Sequence, residues 1–382
     1  MVLISLPSNI VFGLSSFLVI LLVILFSFKY YKKSPIYSNF KKVNNFIFYN
    51  TLFFTIYIIL EIIFSLSGIV NVTDLSTASL YYIFVSPFFI YIFNFNTINL
   101  KNILFIISIF LCASILYESK FYFIDGGYNL LLEYRQKFRP NEVIGLAGNN
   151  FQLAGVVADH HDMANLLGML TVFFFNQYCV DKKVKNFLIF LLLLISLLLT
   201  VSATNIVLTL FFVFLIMIYF KSVRSIILLL SILLLTTFLN QDVISVFNGF
   251  TNKFGADSNS NALFGFLSIY DILKGVPFLM LGHGTSFDTP IIRSEISFIK
   301  LLFGFGILHF VTLINLVLYP IFMWRKNGYP NIASGEMFSI LFGFVSLLHY
   351  GSLMRVTSIF LFFSLYSVAL LKLITFNNKK II

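Results

Sequence analysis

The chain is a succession of apolar runs separated by short polar segments. The runs lie near residues 10–28, 46–66, 80–95, 101–118, 163–178, 186–200, 203–220, 224–239, 294–323, 336–352 and 354–373. A helix crosses the hydrocarbon core of a bilayer with about 20 predominantly apolar residues, so runs of this length and spacing read as spans. The pattern predicts an all-α polytopic integral membrane protein, a single membrane domain over 1–382 with about eleven transmembrane helices. Two intervals, 119–162 and 240–293, are longer than the others, and no soluble domain or internal repeat is visible.

Composition agrees with that pattern: 59% of residues are hydrophobic and 10% charged, and the mean hydropathy is +0.97. Soluble globular domains carry far more charge. In a soluble chain the net charge of +10 would point to nucleic acid. Here the basic residues collect on alternate connections: Lys29, Lys32, Lys33, Lys41 and Lys42; Lys101; Lys182, Lys183 and Lys185; Lys221 and Arg224; Arg325 and Lys326; Lys372, Lys379 and Lys380. By the positive-inside rule those connections are cytoplasmic, which puts the N-terminus outside and the C-terminus inside. The surplus is a topology signal, and nucleic acid is not expected as a partner. The first run has no basic residue before it and no A-x-A site after it, so it reads as a permanent helix and not a cleaved signal. Cys112 lies within one span and Cys179 at the end of another, so no disulfide is expected.

The two long intervals face outward in this topology and hold most of the remaining polar chemistry. In "GGYNLLLEYRQKFRPNEVIG", turn signals at Gly126–Gly127 and Arg139–Pro140 bracket a short helical stretch. The later "ALFGFLSIYDILKGVPFLMLG" is apolar but interrupted by Asp271, Lys274, Gly275 and Pro277, and reads as an interfacial or re-entrant element. In "TSFDTPIIRSEISFIKLLFG", Thr289 is a plausible N-cap with Pro290 at the first helical position. The cytoplasmic side offers only Asp181 and Glu336 as acids, and no nucleotide-binding loop. An enzyme with its site outside has no access to ATP or sugar nucleotides. Its donor must be activated beforehand, and a lipid-linked diphosphate suits that requirement.

Three stretches carry a family likeness. "AGVVADHHDMANLLGML" resembles the G-x-F-x-H-P-N-x-L-A-x-x-L element that opens a membrane helix in the O-antigen polymerase and ligase superfamily. "FLSIYDILKGVPFLMLGHGTSF" resembles the family's stretch ending in G-x-G, and "RSEISFIKLLFGFGILHFV" the helix start that follows. "LLTVSATNIVLTLFF" sits where the family has a T-x-S-R turn between two helices. There are departures: Asp162 replaces the usual asparagine, His161 the proline, and Thr204 or Asn205 stands near the missing arginine. The resemblance implies a GT-C-like membrane glycosyltransferase without nucleotide donors, and no cofactor is expected. A polymerase of this kind moves a growing glycan from undecaprenyl diphosphate onto the next lipid-linked repeat unit at the periplasmic face of the bacterial inner membrane. A ligase moves the finished glycan onto the lipid A core. The implied partners are the lipid-linked oligosaccharide, membrane lipid and a chain-length regulator protein.

Such a transfer needs charge stabilisation on the leaving diphosphate and proton removal from the attacking hydroxyl. Arginine suits the first task because its planar fork donates bidentately to phosphate. Arg135, Arg139, Arg293 and Arg355 fall on the external side, and Lys300, seven residues after Arg293, shares its helical face. Arg135 and Arg139 have an equally good structural reading as partners of Glu133 and Glu142. His160 and His161 are candidate bases or diphosphate contacts, with Asn165 on the same face as His161, and Glu295 is a further candidate base. Asp159 and Asp162 are explained as N-cap and capping-box residues. His283, in "GHG", reads equally as functional or solvated, His309 as a packing residue, and Glu61 as a mid-span acid near the outer third. No Cys, His or acidic cluster has metal-ligand spacing. A flippase or secondary transporter is the competing class. It would show paired repeats and charges along a pathway, whereas here the polar groups gather at one face.

Overall fold

The computed structural model describes residues 97–138, 146–147, 150–157, 160–221, 297–348 and 356–381. Those residues are helical apart from turns and one two-residue antiparallel pair, Leu146–Ala147 with Asn150–Phe151. Two of the described helical stretches, Lys101–Phe123 and His160–Asp181, are long and apolar enough to cross a membrane. The expected spans up to residue 95, and the one near 224–239, lie outside the described residues.

The described residues divide into two compact units. The first is built from α1 (Thr97–Ser119), α2 (Gly127–Phe138), α3 (His160–Asp181), α4 (Val184–Leu199) and α5 (Ala203–Tyr219). Its centre is α3, which packs on α4 and α5 and is buried from Asp162 to Asn176. An apolar helix needs small residues where backbones approach closely, and Gly168 serves that purpose. A Cβ there would lie 2.3 Å from the Phe342 ring and 3.0 Å from the Thr209 hydroxyl.

At one end of this unit Asp181 ties three helices together. Its carboxylate receives Lys101 of α1 at 3.2 Å and the Asn186 amide of α4 at 2.8 Å, and it accepts the Lys183 backbone N–H at 3.1 Å. Lys101 and Asp181, 80 positions apart in the chain, thus meet at one end of the bundle.

At the other end the chain leaves α1 through a 3-10 turn, Lys120–Phe123, and enters α2 at Gly127. Gly126 adopts φ +70, and a Cβ on Gly127 would fall 1.9 Å from the Phe121 carbonyl oxygen. The Gly-Gly pair is therefore required by the turn, and the short helix expected between Gly126 and Arg139 forms. Gly127, Leu131 and Arg135 repeat every four residues and form the buried stripe of α2. The hairpin is fastened to the same end by Tyr122, whose hydroxyl donates to the Phe151 carbonyl and whose ring packs 4.8 Å from the Phe151 ring.

The second unit contains α6 (Ser297–Lys326), the start of α7 (Ser334–Val345) and α8 (Val356–Ile381). The Trp324 indole donates to the Pro330 carbonyl at 3.1 Å, and the Asn327 amide to the Leu373 carbonyl at 3.0 Å. Lys372 of α8 binds Glu336 in the first turn of α7 at 2.6 Å, with the carboxylate only 2% exposed.

Candidate functional site

The polar end of the first unit is assembled from four segments. Glu118, at the end of α1, is buried, and its carboxylate is fully engaged. Arg135 approaches side-on, Nε to one oxygen at 3.2 Å and Nη2 to the other at 2.8 Å. The backbone N–H groups of Ala154 and Gly155 donate to the second oxygen at 3.2 and 2.7 Å. A carboxylate taken out of water is tolerated when charge and hydrogen bonds compensate it this fully. Arg135 therefore pairs with Glu118, and not with Glu133 as sequence proximity offered. Residues two apart on a helix do not face each other: Arg135 lies on the buried stripe while Glu133 is exposed.

This clamp sets the approach to α3. Gly155, at φ +57, is pressed so closely between α1 and α3 that a Cβ would lie 2.3 Å from the Ser114 hydroxyl and 2.8 Å from Met163. Five residues on, α3 opens with His160 and His161, whose ring centres are 3.8 Å apart. The His161 Nδ1 lies 3.3 Å from the Ser202 hydroxyl, and the Asn205 side-chain amide donates to that hydroxyl at 3.0 Å.

Ser202 ends the tight turn between α4 and α5. The Thr200 hydroxyl bonds the Leu197 carbonyl at 2.7 Å, and Val201 sits at φ 52, a left-handed conformation that a β-branched residue adopts only when its surroundings impose it. Such a backbone costs on the order of 1–3 kcal/mol. Here it is held by complete burial of the Val201 side chain, and it delivers Ser202 to the histidine. Below this layer Asp162 and Asn165 are buried in the first two turns of α3. His161, expected to act with Asn165 along one helix, is linked across helices to Ser202.

The other candidates are placed as follows. Lys300 belongs to the first turn of α6 and His309 to its middle, with side chains outside the described set. Arg139, Asp159, His283, Arg293, Glu295, Arg355 and Glu61 lie outside the described residues. Among the described residues, no three His, Cys, Asp or Glu side chains are grouped to hold a metal ion. Glu118 and Ser202 are not among the residues that the sequence pattern points to. The signal for Glu118 was an acid at the very end of an apolar run, a costly position without a partner.

Chemically, the assembly offers two imidazoles, a hydroxyl and a carboxamide at the N-terminal end of a buried helix, where the helix dipole favours an anion. No protein-family model matches the chain, and no curated protein and no solved structure is significantly similar to it.

Proposed function

We propose that the chain is a polytopic membrane glycosyltransferase with its active site on the outer face, and that it polymerises lipid-linked oligosaccharide repeat units. The reading is supported by the eleven apolar runs, the one-sided basic residues and the order of the motifs along the chain. The observation that carries it furthest is the hydrogen bond between His161 and Ser202. It joins two stretches, "ADHHDMAN" and "TVSATN", that resemble separate elements of the O-antigen polymerase and ligase superfamily.

In this reaction an acceptor sugar hydroxyl attacks the anomeric carbon of the donor glycan. The new C–O bond forms as the bond to the diphosphate breaks, the electron pair leaves with undecaprenyl diphosphate, and the hydroxyl proton passes to a base. The histidine layer supplies the polar groups for this exchange. Arg293, Lys300, Arg355 and Arg139 are proposed as diphosphate contacts and Glu295 as a base. Arg135, engaged by Glu118, acts in this scheme by holding the outer end together.

A clean deletion followed by gel analysis of the lipopolysaccharide tests the proposal. Loss of a polymerase leaves core carrying a single repeat unit. Bare core with long glycan still on the carrier lipid identifies a ligase instead, and bare core with units facing the cytoplasm identifies a flippase. An unchanged ladder rejects all three.

A further inference from the structure

We infer that the turn from α3 to α4 binds the headgroup of an anionic phospholipid whose acyl chains lie along the exposed face of α4. The turn carries Lys182, Lys183 and Lys185, all exposed, and Lys101 of α1 reaches it through Asp181. That carboxylate is already taken by Lys101, the Asn186 amide and the Lys183 backbone N–H. Lys182, Lys183 and Lys185 have no carboxylate partner among the described residues. Four lysines around one acid leave a net charge of +3 at the turn. The cations are held in place. The Lys185 ammonium sits 3.7 Å from the centre of the Phe105 ring, and that of Lys182 lies 5.5 Å from the Tyr178 ring. A ring face steadies an ammonium without neutralising it, so both charges stay available to an anion.

Beyond the turn, the outward face of α4 is apolar. Val184, Leu188 and Ile195 are 68%, 58% and 49% exposed, and their spacing of four and seven puts them on one side of the helix. Ile189, Phe190, Leu193 and Leu197, on the other side, are buried. The exposed stripe rises about 16 Å at 1.5 Å per residue, close to the depth of one leaflet in a hydrocarbon core about 30 Å thick. An apolar stripe of that length running into a lysine cluster fits a phospholipid, chains on the stripe and phosphate at the lysines. Basic pockets beside membrane helices recognise anionic headgroups in this way, and the positive end of the α4 dipole adds to the attraction. Free phosphate would satisfy the lysines and leave the stripe uncovered. A zwitterionic lipid would cover the stripe and leave the lysine charge unbalanced. The inference rests on the membrane placement in the proposed function and not on the reaction.

The test places the full chain in phosphatidylcholine nanodiscs with a rising mole fraction of phosphatidylglycerol that carries a photoactivatable acyl chain. Adducts are mapped by mass spectrometry. The expected result is saturable labelling between Val184 and Ile195, several-fold above that given by a phosphatidylcholine probe of the same design. A lysine beside an anionic headgroup is worth about fivefold in affinity. Lys183→Gln should therefore raise the half-saturating mole fraction about fivefold, and Lys137→Gln, on α2 at the other end of the unit, should leave it unchanged. Equal labelling by the two probes, no labelling of α4 by either, or labelling unmoved in Lys182→Gln/Lys183→Gln/Lys185→Gln overturns the inference. Competition by inorganic phosphate as strong as by unlabelled phosphatidylglycerol also overturns it, because the anion then binds without the chains. A chain that does not enter the nanodisc rejects the membrane placement itself. An unaltered glycan ladder in the deletion strain rejects the reaction and leaves the labelling result standing.

Discussion

Arg135 and Glu118, on different helices and 17 positions apart, meet in a side-on ion pair whose side chains are only 4% and 3% exposed. Removing one member strands the other as a buried charge, which costs about 3–5 kcal/mol. The two directions are not equal. Arg135→Met leaves the carboxylate with two backbone N–H donors, whereas Glu118→Ala strands both the guanidinium and those donors. Thermal unfolding in detergent should rank Glu118→Ala below Arg135→Met, and the double variant above the sum of the singles. Equal, additive losses would show that the pair is not coupled.

The two adjacent glycines at the start of α2 separate conformational strain from steric exclusion. Gly126 has φ +70 and nothing within 4 Å of an added Cβ, so Gly126→Ala costs only the left-handed conformation, about 1–2 kcal/mol. At Gly127 the added carbon meets the Phe121 carbonyl, a backbone atom that moves only if the turn reforms. Gly127→Ala should therefore lower the melting temperature several degrees more than Gly126→Ala. Equal shifts would contradict the turn described here.

Gly168→Ala drives a methyl group into the Phe342 ring. Overpacking of this kind costs about 1–3 kcal/mol. Because the ring is the far end of a side chain, Phe342→Leu in the Gly168→Ala background should recover part of the loss while being harmful alone. A double variant no more stable than Gly168→Ala would place the crowding elsewhere, for instance at the Thr209 hydroxyl.

The two lysine–carboxylate pairs at the basic ends of the units differ in exposure. Lys101 and Asp181 are 35% and 21% exposed, and such pairs are worth about 0–1 kcal/mol. Glu336 is 2% exposed beneath Lys372, so Lys372→Met strands a buried carboxylate and should destabilise by about 3–5 kcal/mol. The measurement is paired thermal unfolding of Lys101→Met and Lys372→Met at low and high salt. A large, salt-sensitive loss confined to Lys101→Met would reverse the assignment.

The described helices were legible because an apolar run announces its own length. The run read at 186–200 forms Val184–Leu199, and that at 203–220 forms Ala203–Tyr219. The short helix at Gly127–Phe138 was legible from its flanking turns. The partners were not. Nothing local links Arg135 to Glu118 or His161 to Ser202, since 17 and 41 residues separate them. Sequence proximity pointed instead to Glu133, which helical geometry turns away. A turn between two helices was expected within "LLTVSATNIVLTLFF" and forms at residues 200–202, but only the packing of α5 on α3 brings Ser202 to 3.3 Å from His161.

The orientation of the histidine end is the claim on which the account depends. Gln136 on α2 and Lys183 between α3 and α4 are both exposed and lie toward opposite ends of the first unit. With Cys112 and Cys179 replaced by alanine, each position is changed in turn to cysteine and treated with a membrane-impermeant maleimide in intact spheroplasts. The account expects labelling of Gln136→Cys from outside and of Lys183→Cys only after lysis. The reverse pattern would place the His160–His161 layer in the cytoplasm and contradict a reaction on an outward-facing carrier lipid.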